Sequence, residues 1–233
     1  TPEILSVAVC ISDEVTLSDF IHPIKILSGI NDADHPIFGA AMGEVPYCVT
    51  FEYLSLTLKP MESLKGRAAP TINPTMTYAD AITSGKQFDI LWVPAGPIPN
   101  FSSGQNHIPK EGIQFIAMQV PKAKYTLSVC GGAVQLTFTR VLSSKRGTTN
   151  KAFYRTITAA MPKDIQWVPK AQWVVDGNIW TSSGIAAGEC LDMALAFIEH
   201  LISAKAACQI RSAVEIPEVM EQDNLFATFH SLV

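Results

Sequence analysis

The stretch Tyr125-Thr126-Leu127-Ser128-Val129-Cys130-Gly131-Gly132-Ala133-Val134-Gln135-Leu136 decides how this chain folds. An apolar run ends abruptly in a cysteine, two glycines follow, and apolar residues then recur at helical spacing. That order predicts a strand, a sharp turn and a helix, with Cys130 held at the bend. Small residues beside the bend let the backbone turn without a clash of Cβ atoms. A helix that starts there aims its free N–H groups and positive end at the sulfur, which favours a thiolate and a nearby anion. The alternative is a buried structural cysteine, since free cysteine packs as a small hydrophobe. Two glycines at a strand end weigh toward the functional reading.

Working outward, Phe88-Asp89-Ile90-Leu91-Trp92-Val93-Pro94 reads as a strong strand that runs into Ala95-Gly96-Pro97. Ile4 to Ile11 is a near-continuous apolar run, the pattern of a strand covered on both faces. After it, Leu17, Phe20, Ile21, Ile24 and Leu27 recur at helical spacing up to Gly29. A second strand is expected over Pro36 to Met42. Tyr47 to Lys59 alternates in polarity and suggests a hairpin outside the parallel sheet. Short helices are expected over 78–84 and 110–119, and the helix after the cysteine over 131–142. A further helix is expected over 152–160. Trp173 to Val175 and Ile179 to Thr181 read as strands joined by an Asp176-Gly177-Asn178 turn. A long helix should run from Ser182 to Ile202, and a last one over 217–222. Alternating strands and helices specify an α/β fold: a three-layer, flavodoxin-like sandwich with a mostly parallel central sheet and helices on both faces. No linker or repeat divides the 233 residues, so one domain over 1–233 is expected. Ligands in such sheets bind beyond the carboxyl ends of the strands. The loop after Ile11, the turn at Pro94-Ala95-Gly96 and Cys130 all belong there.

Composition narrows the function. Hydrophobic residues make up 48% and charged residues 16%, as suits several fully buried strands. The formal charge is -4 with no basic block, so no nucleic-acid partner is expected. No apolar run approaches about 18 residues, so no membrane span is expected. Five scattered cysteines without C-x-x-C spacing argue against a disulfide framework and for a reducing, cytoplasmic setting. His35, His107, His200 and His230 show no ligand spacing, so no metal site is expected.

Five stretches in order resemble the ThiJ/PfpI superfamily, of the class I glutamine amidotransferase-like fold. They are Asp19-Phe20-Ile21-His22-Pro23; Phe88 to Pro97; Ser128-Val129-Cys130-Gly131-Gly132; Arg146-Gly147-Thr148-Thr149; and Thr181-Ser182-Ser183-Gly184 with Leu191-Asp192-Met193-Ala194-Leu195. The style is closest to isonitrile hydratase-like members. The resemblance implies that Cys130 is a nucleophile and Asp19 its hydrogen-bond partner and proton carrier. It implies that the backbone N–H groups of Gly96 and Gly131 stabilise an anion, and it makes Thr149 and Gly132, with His22 and Asn150, candidates for binding the substrate. It also implies a homodimer acting on a small molecule without a cofactor. A carboxyl group close to a thiolate has its ionised form disfavoured, so it can stay protonated and donate.

Two departures bear on the reaction. The superfamily usually has histidine after the Thr-Thr pair, whereas here Asn150 stands, and an amide cannot take up a proton. That argues against glyoxalase-like chemistry. Asn150 either orients substrate or serves as a turn residue. His22 lies three positions after Asp19, where it either supplies the missing imidazole or fills the pocket wall. Gly131 stands where hydratase-like members often carry threonine. The expected function is an isonitrile hydratase-like lyase. The alternatives are a pocket reused for another acid-base or cyclisation step in secondary metabolism, and a non-catalytic oxidant sensor or chaperone.

Overall fold

The computed structural model describes residues 1–36, 38–63, 70–184, 189–222 and 224–233, leaving aside the side chains of 38, 189 and 190. Its main sheet contains β1 (Glu3–Cys10), β2 (Tyr47–Ser55), β3 (Met76–Thr77), β4 (Ile90–Val93), β5 (Tyr125–Val129), β6 (Trp173–Asp176) and β7 (Ile179–Ser182). The spatial order is β6-β7-β5-β4-β1-β2-β3. All neighbours are parallel except β6 and β7, a hairpin turning at Gly177 with φ 62°. Because β1, β4, β5 and β7 point the same way, Ser12, Ala95, Cys130 and Ser182 emerge at one edge of the sheet.

Helices α1 (Ile21–Ser28), α2 (Phe38–Met42), α3 (Tyr78–Thr83), α4 (Lys110–Gln119) and α5 (Gly132–Phe138) follow in chain order. After them come α6 (Tyr154–Ala160), α7 (Glu189–Leu201), α8 (Ala204–Val214) and α9 (Leu225–Phe229). Successive strand residues face opposite layers, as the two-residue period of a strand requires. Val7, Val9, Ile90 and Trp92 pack with Ile24 and Leu27 of α1, Leu195 and Ile198 of α7, and Ile210 of α8. Ala8, Cys10, Leu91 and Val93 pack with Ala81 of α3, Phe115 of α4 and Leu136 of α5. Burial on both faces explains why these strands read as continuous apolar runs. It also pushes the Cys10 thiol up, so that cysteine is a core residue.

Several sequence expectations are corrected. Residues 38–42 form α2, not a strand; its alanines favour a helix, and the Gly39 N–H donates to the His35 carbonyl at 2.8 Å. Tyr47–Ser55 is not a hairpin but a parallel partner of β1 along eight residue pairs. Its outer neighbour β3 pairs only at Leu54 and Ser55, so most of β2 is an edge strand. One face of the strand, with Tyr47, Val49, Phe51 and Tyr53, packs on the core while Thr50 on the other is exposed, and that difference between faces produced the alternation. The helix after Cys130 covers 132–138 rather than 131–142, and the one after Asn150 starts at Tyr154. The helix expected from Ser182 is described from Glu189, its expected opening at 185–188 lying outside the described residues. The last helix is α9, not 217–222, and α8 precedes it. Each carries a side-chain cap, from Ser203 and Asn224.

The superfamily-like Asp192 of α7 is 1% exposed, and its Oδ1 lies 3.0 Å from Arg211 Nη1 of α8. Arg211 Nη1 also donates to the Pro217 carbonyl at 2.9 Å. Arg211→Met should therefore destabilise the fold by about 2–4 kcal/mol, because it strips the cation from a buried carboxylate. Urea unfolding at neutral pH checks this; a change within about 0.5 kcal/mol would deny the pair a structural role.

Candidate active site

The bend after β5 carries its strain on the cysteine. Cys130 adopts φ 56°, a left-handed conformation that costs a side-chain-bearing residue about 1–3 kcal/mol. Gly131 is in ordinary helical conformation, with φ -67° and ψ -6°. A Cβ on Gly131 would meet only Ala95 Cβ at 3.5 Å and Ile98 Cγ2 at 3.6 Å, so glycine is not sterically required there. Gly132 is different. A Cβ on it would sit 2.0 Å from the Val93 carbonyl oxygen. Its lack of a side chain is what lets α5 start against the end of β4.

Three contacts over-determine the Cys130 bend. Its N–H donates to the Ser182 carbonyl at 3.0 Å. Its carbonyl accepts from Thr149 Oγ1 at 2.9 Å. The Gln135 side chain, one turn into α5, donates to the Pro94 carbonyl at 3.1 Å and so joins the elbow to the β4 turn. Cys130 itself is 7% exposed.

Asp19 ends a short 3-10 turn, Leu17–Asp19, just before α1. It is fully buried. Its Oδ2 accepts from the Ala95 N–H at 2.9 Å, and its backbone carbonyl accepts from Trp92 Nε1 at 2.9 Å. The Ala95 carbonyl accepts from the Thr16 N–H at 3.0 Å. The Asp19 turn and the β4 turn are thus pinned to each other on both sides of Ala95, whose Cβ lies against Gly131. Among the described residues, Asp19 Oδ1 is buried with no hydrogen-bond partner. Burial pushes the Asp19 carboxyl up to about 7, outweighing the Ala95 N–H that favours its ionised form. Near neutral pH the group is therefore about half protonated, where an ordinary aspartate is almost wholly ionised.

That displacement has a sign that can be tested. The carboxyl titrates near 4 in the unfolded chain and near 7 in the fold. Its contribution to stability is therefore fully present below about pH 4 and lost as pH rises through 7. Asp19→Asn keeps an acceptor for the Ala95 N–H and cannot ionise. Relative to the native chain, it should gain on the order of 2–4 kcal/mol of stability between pH 4 and pH 8. Thermal melts across that range check this; a difference that does not vary with pH would mean that folding leaves the Asp19 carboxyl at its ordinary value.

The remaining sequence candidates separate. Gly96 is half-buried, and a Cβ on it would meet Ser12 Oγ at 2.7 Å and Gln135 Nε2 at 3.4 Å, which places it between the β1 and β5 ends. Thr149 is buried and holds the elbow by its hydroxyl. Asn150 behaves as a turn residue: its Oδ1 accepts from the Phe153 N–H at 3.3 Å ahead of α6. His22 is exposed on α1. With Glu14, Val15, Thr16, Leu17 and Ile21 it lines a mainly apolar groove of about 610 Å³ beside the Asp19 turn. Among the described residues no group of three or more His, Cys, Asp or Glu side chains is arranged to hold a metal ion.

Several residues that hold this arrangement carry little signal in the sequence. Gln135 and Ser182 lie inside the motifs without a role that the motifs reveal. Ser12 follows β1 with no distinguishing pattern. Lys151 is 4% exposed, with its Nζ donating to Thr148 Oγ1 and lying 5.4 Å from the centre of the Tyr154 ring. Nothing in a lone lysine after a turn announces burial. Trp173 and Trp180 are core residues, and Trp180 meets Phe197 edge-on with ring centres 5.3 Å apart.

A profile of the DJ-1/PfpI family matches residues 5–200. The chain belongs to the DJ-1/PfpI family. Isonitrile hydratase of Pseudomonas putida is 30% identical over 147 residues, a match covering 62% of this chain and 57% of that enzyme. The chain thus aligns with little more than half the length of this relative. Among solved structures, DJ-1beta of Drosophila melanogaster superposes with a TM-score of 0.68 at 16% identity, over 94% of this chain and all of the other. A ThiJ/PfpI family protein from Pseudomonas syringae gives 0.63 at 17% identity, over all of this chain and 86% of the other. At such identities these structures establish the shared fold. Within the DJ-1/PfpI frame, no described helix is long and apolar enough to cross a membrane.

Proposed function

We propose that this DJ-1/PfpI protein is a cofactor-independent hydratase that converts an isonitrile to an N-substituted formamide. Cys130 is the nucleophile and Asp19 the proton donor. The observation that carries the reading is the buried Asp19, whose carboxyl is pushed up to about 7, fixed through one oxygen to Ala95 and with the other unpaired, joined through Ala95 to the Cys130 elbow. The likeness to isonitrile hydratase supports the choice of substrate.

In this reading the Cys130 sulfur attacks the terminal isonitrile carbon, forming a C–S bond. The electron pair left on that carbon takes the Asp19 proton, giving a thioimidate and an Asp19 carboxylate. Water then adds to the same carbon. One of its protons restores Asp19; the other ends on nitrogen as the carbonyl forms and the C–S bond breaks, returning the thiolate. The N–H groups of Gly96 and Gly131 hold the negative oxygen of the hydrated intermediate. Thr149 and Gly132 keep the elbow in place, while Asn150 shapes the turn beside it. His22 belongs to the groove wall, where the organic substituent lies. No histidine is required, because Asp19 gives the proton that goes to carbon and takes one from water, and the other water proton passes from the hydrated intermediate's oxygen to the adjacent nitrogen.

Incubation with a panel of alkyl and aryl isonitriles in heavy-oxygen water should yield formamides labelled in the formyl group. Mass spectrometry reads the product. Absence of formamide from the whole panel, with folded protein, would sink the reading.

A further inference from the structure

We infer that Asn224 is a positioning residue, part of a C-terminal strap that holds the backbone of Cys130 in its strained conformation. The inference rests on the reading of Cys130 as the reacting thiol. The strap lies beyond residue 200, where the family match ends. Three hydrogen bonds run in series from it to the elbow. The Glu221 carbonyl accepts from the Gln172 N–H at 2.6 Å, and the Gln172 carbonyl accepts from the Ser183 N–H at 2.7 Å. The Ser182 carbonyl then accepts from the Cys130 N–H at 3.0 Å. Ser183 N–H and Ser182 C=O belong to one peptide plane. Its orientation is therefore set from the strap side and read on the cysteine side. The two bonds that meet at this peptide, from Ser183 N–H and to Ser182 C=O, polarise and strengthen one another.

Asn224 fastens the strap at this plane. It is 4% exposed. Its Nδ2 donates to Ser183 Oγ at 2.8 Å, while its Oδ1 accepts from the N–H groups of Phe226 and Ala227 at 3.0 and 3.1 Å, capping α9. Arg155 of α6 holds the far end through the Ser231 carbonyl. One amide thus joins the strap helix to the segment beside the nucleophile. A left-handed, side-chain-bearing residue persists only when its surroundings over-determine it. Rotation of the 182–183 peptide would take away the acceptor of the Cys130 N–H, and the thiol would leave its place at the end of β5.

The test uses the full chain and two neutral substitutions. Asn224→Ser retains a hydroxyl cap for α9 but is too short to reach Ser183. Ser183→Ala removes the other end of the same bond and leaves the α9 cap untouched. The readout is the rate of Cys130 alkylation by iodoacetamide at neutral pH, followed on the Cys130 peptide by mass spectrometry so that Cys48 and Cys208 do not contribute. Each single variant should slow Cys130 by roughly five- to tenfold, and the double variant should be no slower than either single. Melting temperatures should stay within about 2 °C of the native chain, which separates positioning from loss of fold. Native alkylation rates in both single variants would overturn the inference. If Asn224→Ser fails to fold, Ser183→Ala alone decides. Because alkylation does not depend on the isonitrile, a slowed thiol together with a chain that makes no formamide would reject the hydratase reading and keep the strap.

Discussion

Cys130→Ala is expected to lower isonitrile turnover by roughly 10³-fold or more while the chain stays folded. The sulfur forms the first bond in the proposed sequence, and no other group on the elbow can replace it. The fold should tolerate the change. Alanine meets the same penalty at φ 56° as cysteine, so the strain is unaltered. The hydrogen bonds to Ser182 and Thr149 involve only the backbone of residue 130. Circular dichroism and a melt establish folding, and steady-state formamide production gives the loss. In the native chain, rapid quenching should also trap a mass increase on the Cys130 peptide equal to one substrate. Turnover within tenfold of native would rule out covalent addition. Asp19 would then act as acid and base on a bound substrate without a sulfur bond.

The second large effect is structural. Gly132→Ala should cost about 3–5 kcal/mol or abolish soluble expression, whereas Gly131→Ala should cost under about 1 kcal/mol. The two glycines are neighbours in sequence and differ only in what lies opposite. A Cβ on Gly132 would overlap the Val93 carbonyl oxygen at 2.0 Å, with the carbonyl carbons of Val93 and Pro94 at 3.0 and 3.1 Å. Those atoms belong to the buried end of β4, and no rotamer change can move them. A Cβ on Gly131 meets two side-chain carbons at ordinary contact distances. Chemical denaturation of the paired variants makes the comparison. Equal, small losses would mean that α5 can move away from β4 without cost.

Much of this site is legible in the order of residues along the chain. The strand-turn-helix at 125–138 follows from an apolar run, a cysteine and two glycines, because local chain stiffness and burial act over a few residues. The convergence of Ser12, Ala95 and Cys130 at one sheet edge follows from the parallel α/β order, since parallel strands end on the same side. The family resemblance carried by separate stretches agrees with the match over residues 5–200. The departures cluster where exposure and propensity mislead. β2 alternates because one of its faces packs on the core and the other is open, not because it turns back on itself. Residues 38–42 resemble a strand because five residues between loops carry too little periodicity to tell the two apart. The tail beyond α7 is the hardest to read, as α8 is amphipathic with many small residues and α9 spans only five positions.

The sequence by itself determined the layered α/β architecture, the elbow and the short set of residues from which a site had to be built. Periodicity and turn chemistry are local, and local terms can be read from neighbours along the chain. Only the tertiary structure decided which glycine of the pair is indispensable, because that depends on a carbonyl nearly forty positions away. It alone decided that the strain sits on Cys130 rather than on the glycine after it. It also decided the protonation of Asp19, since burial is a property of everything packed around a group. The link from Asn224 through the 182–183 peptide to Cys130 is of the same kind: three hydrogen bonds between distant segments, set by the packing of the whole chain.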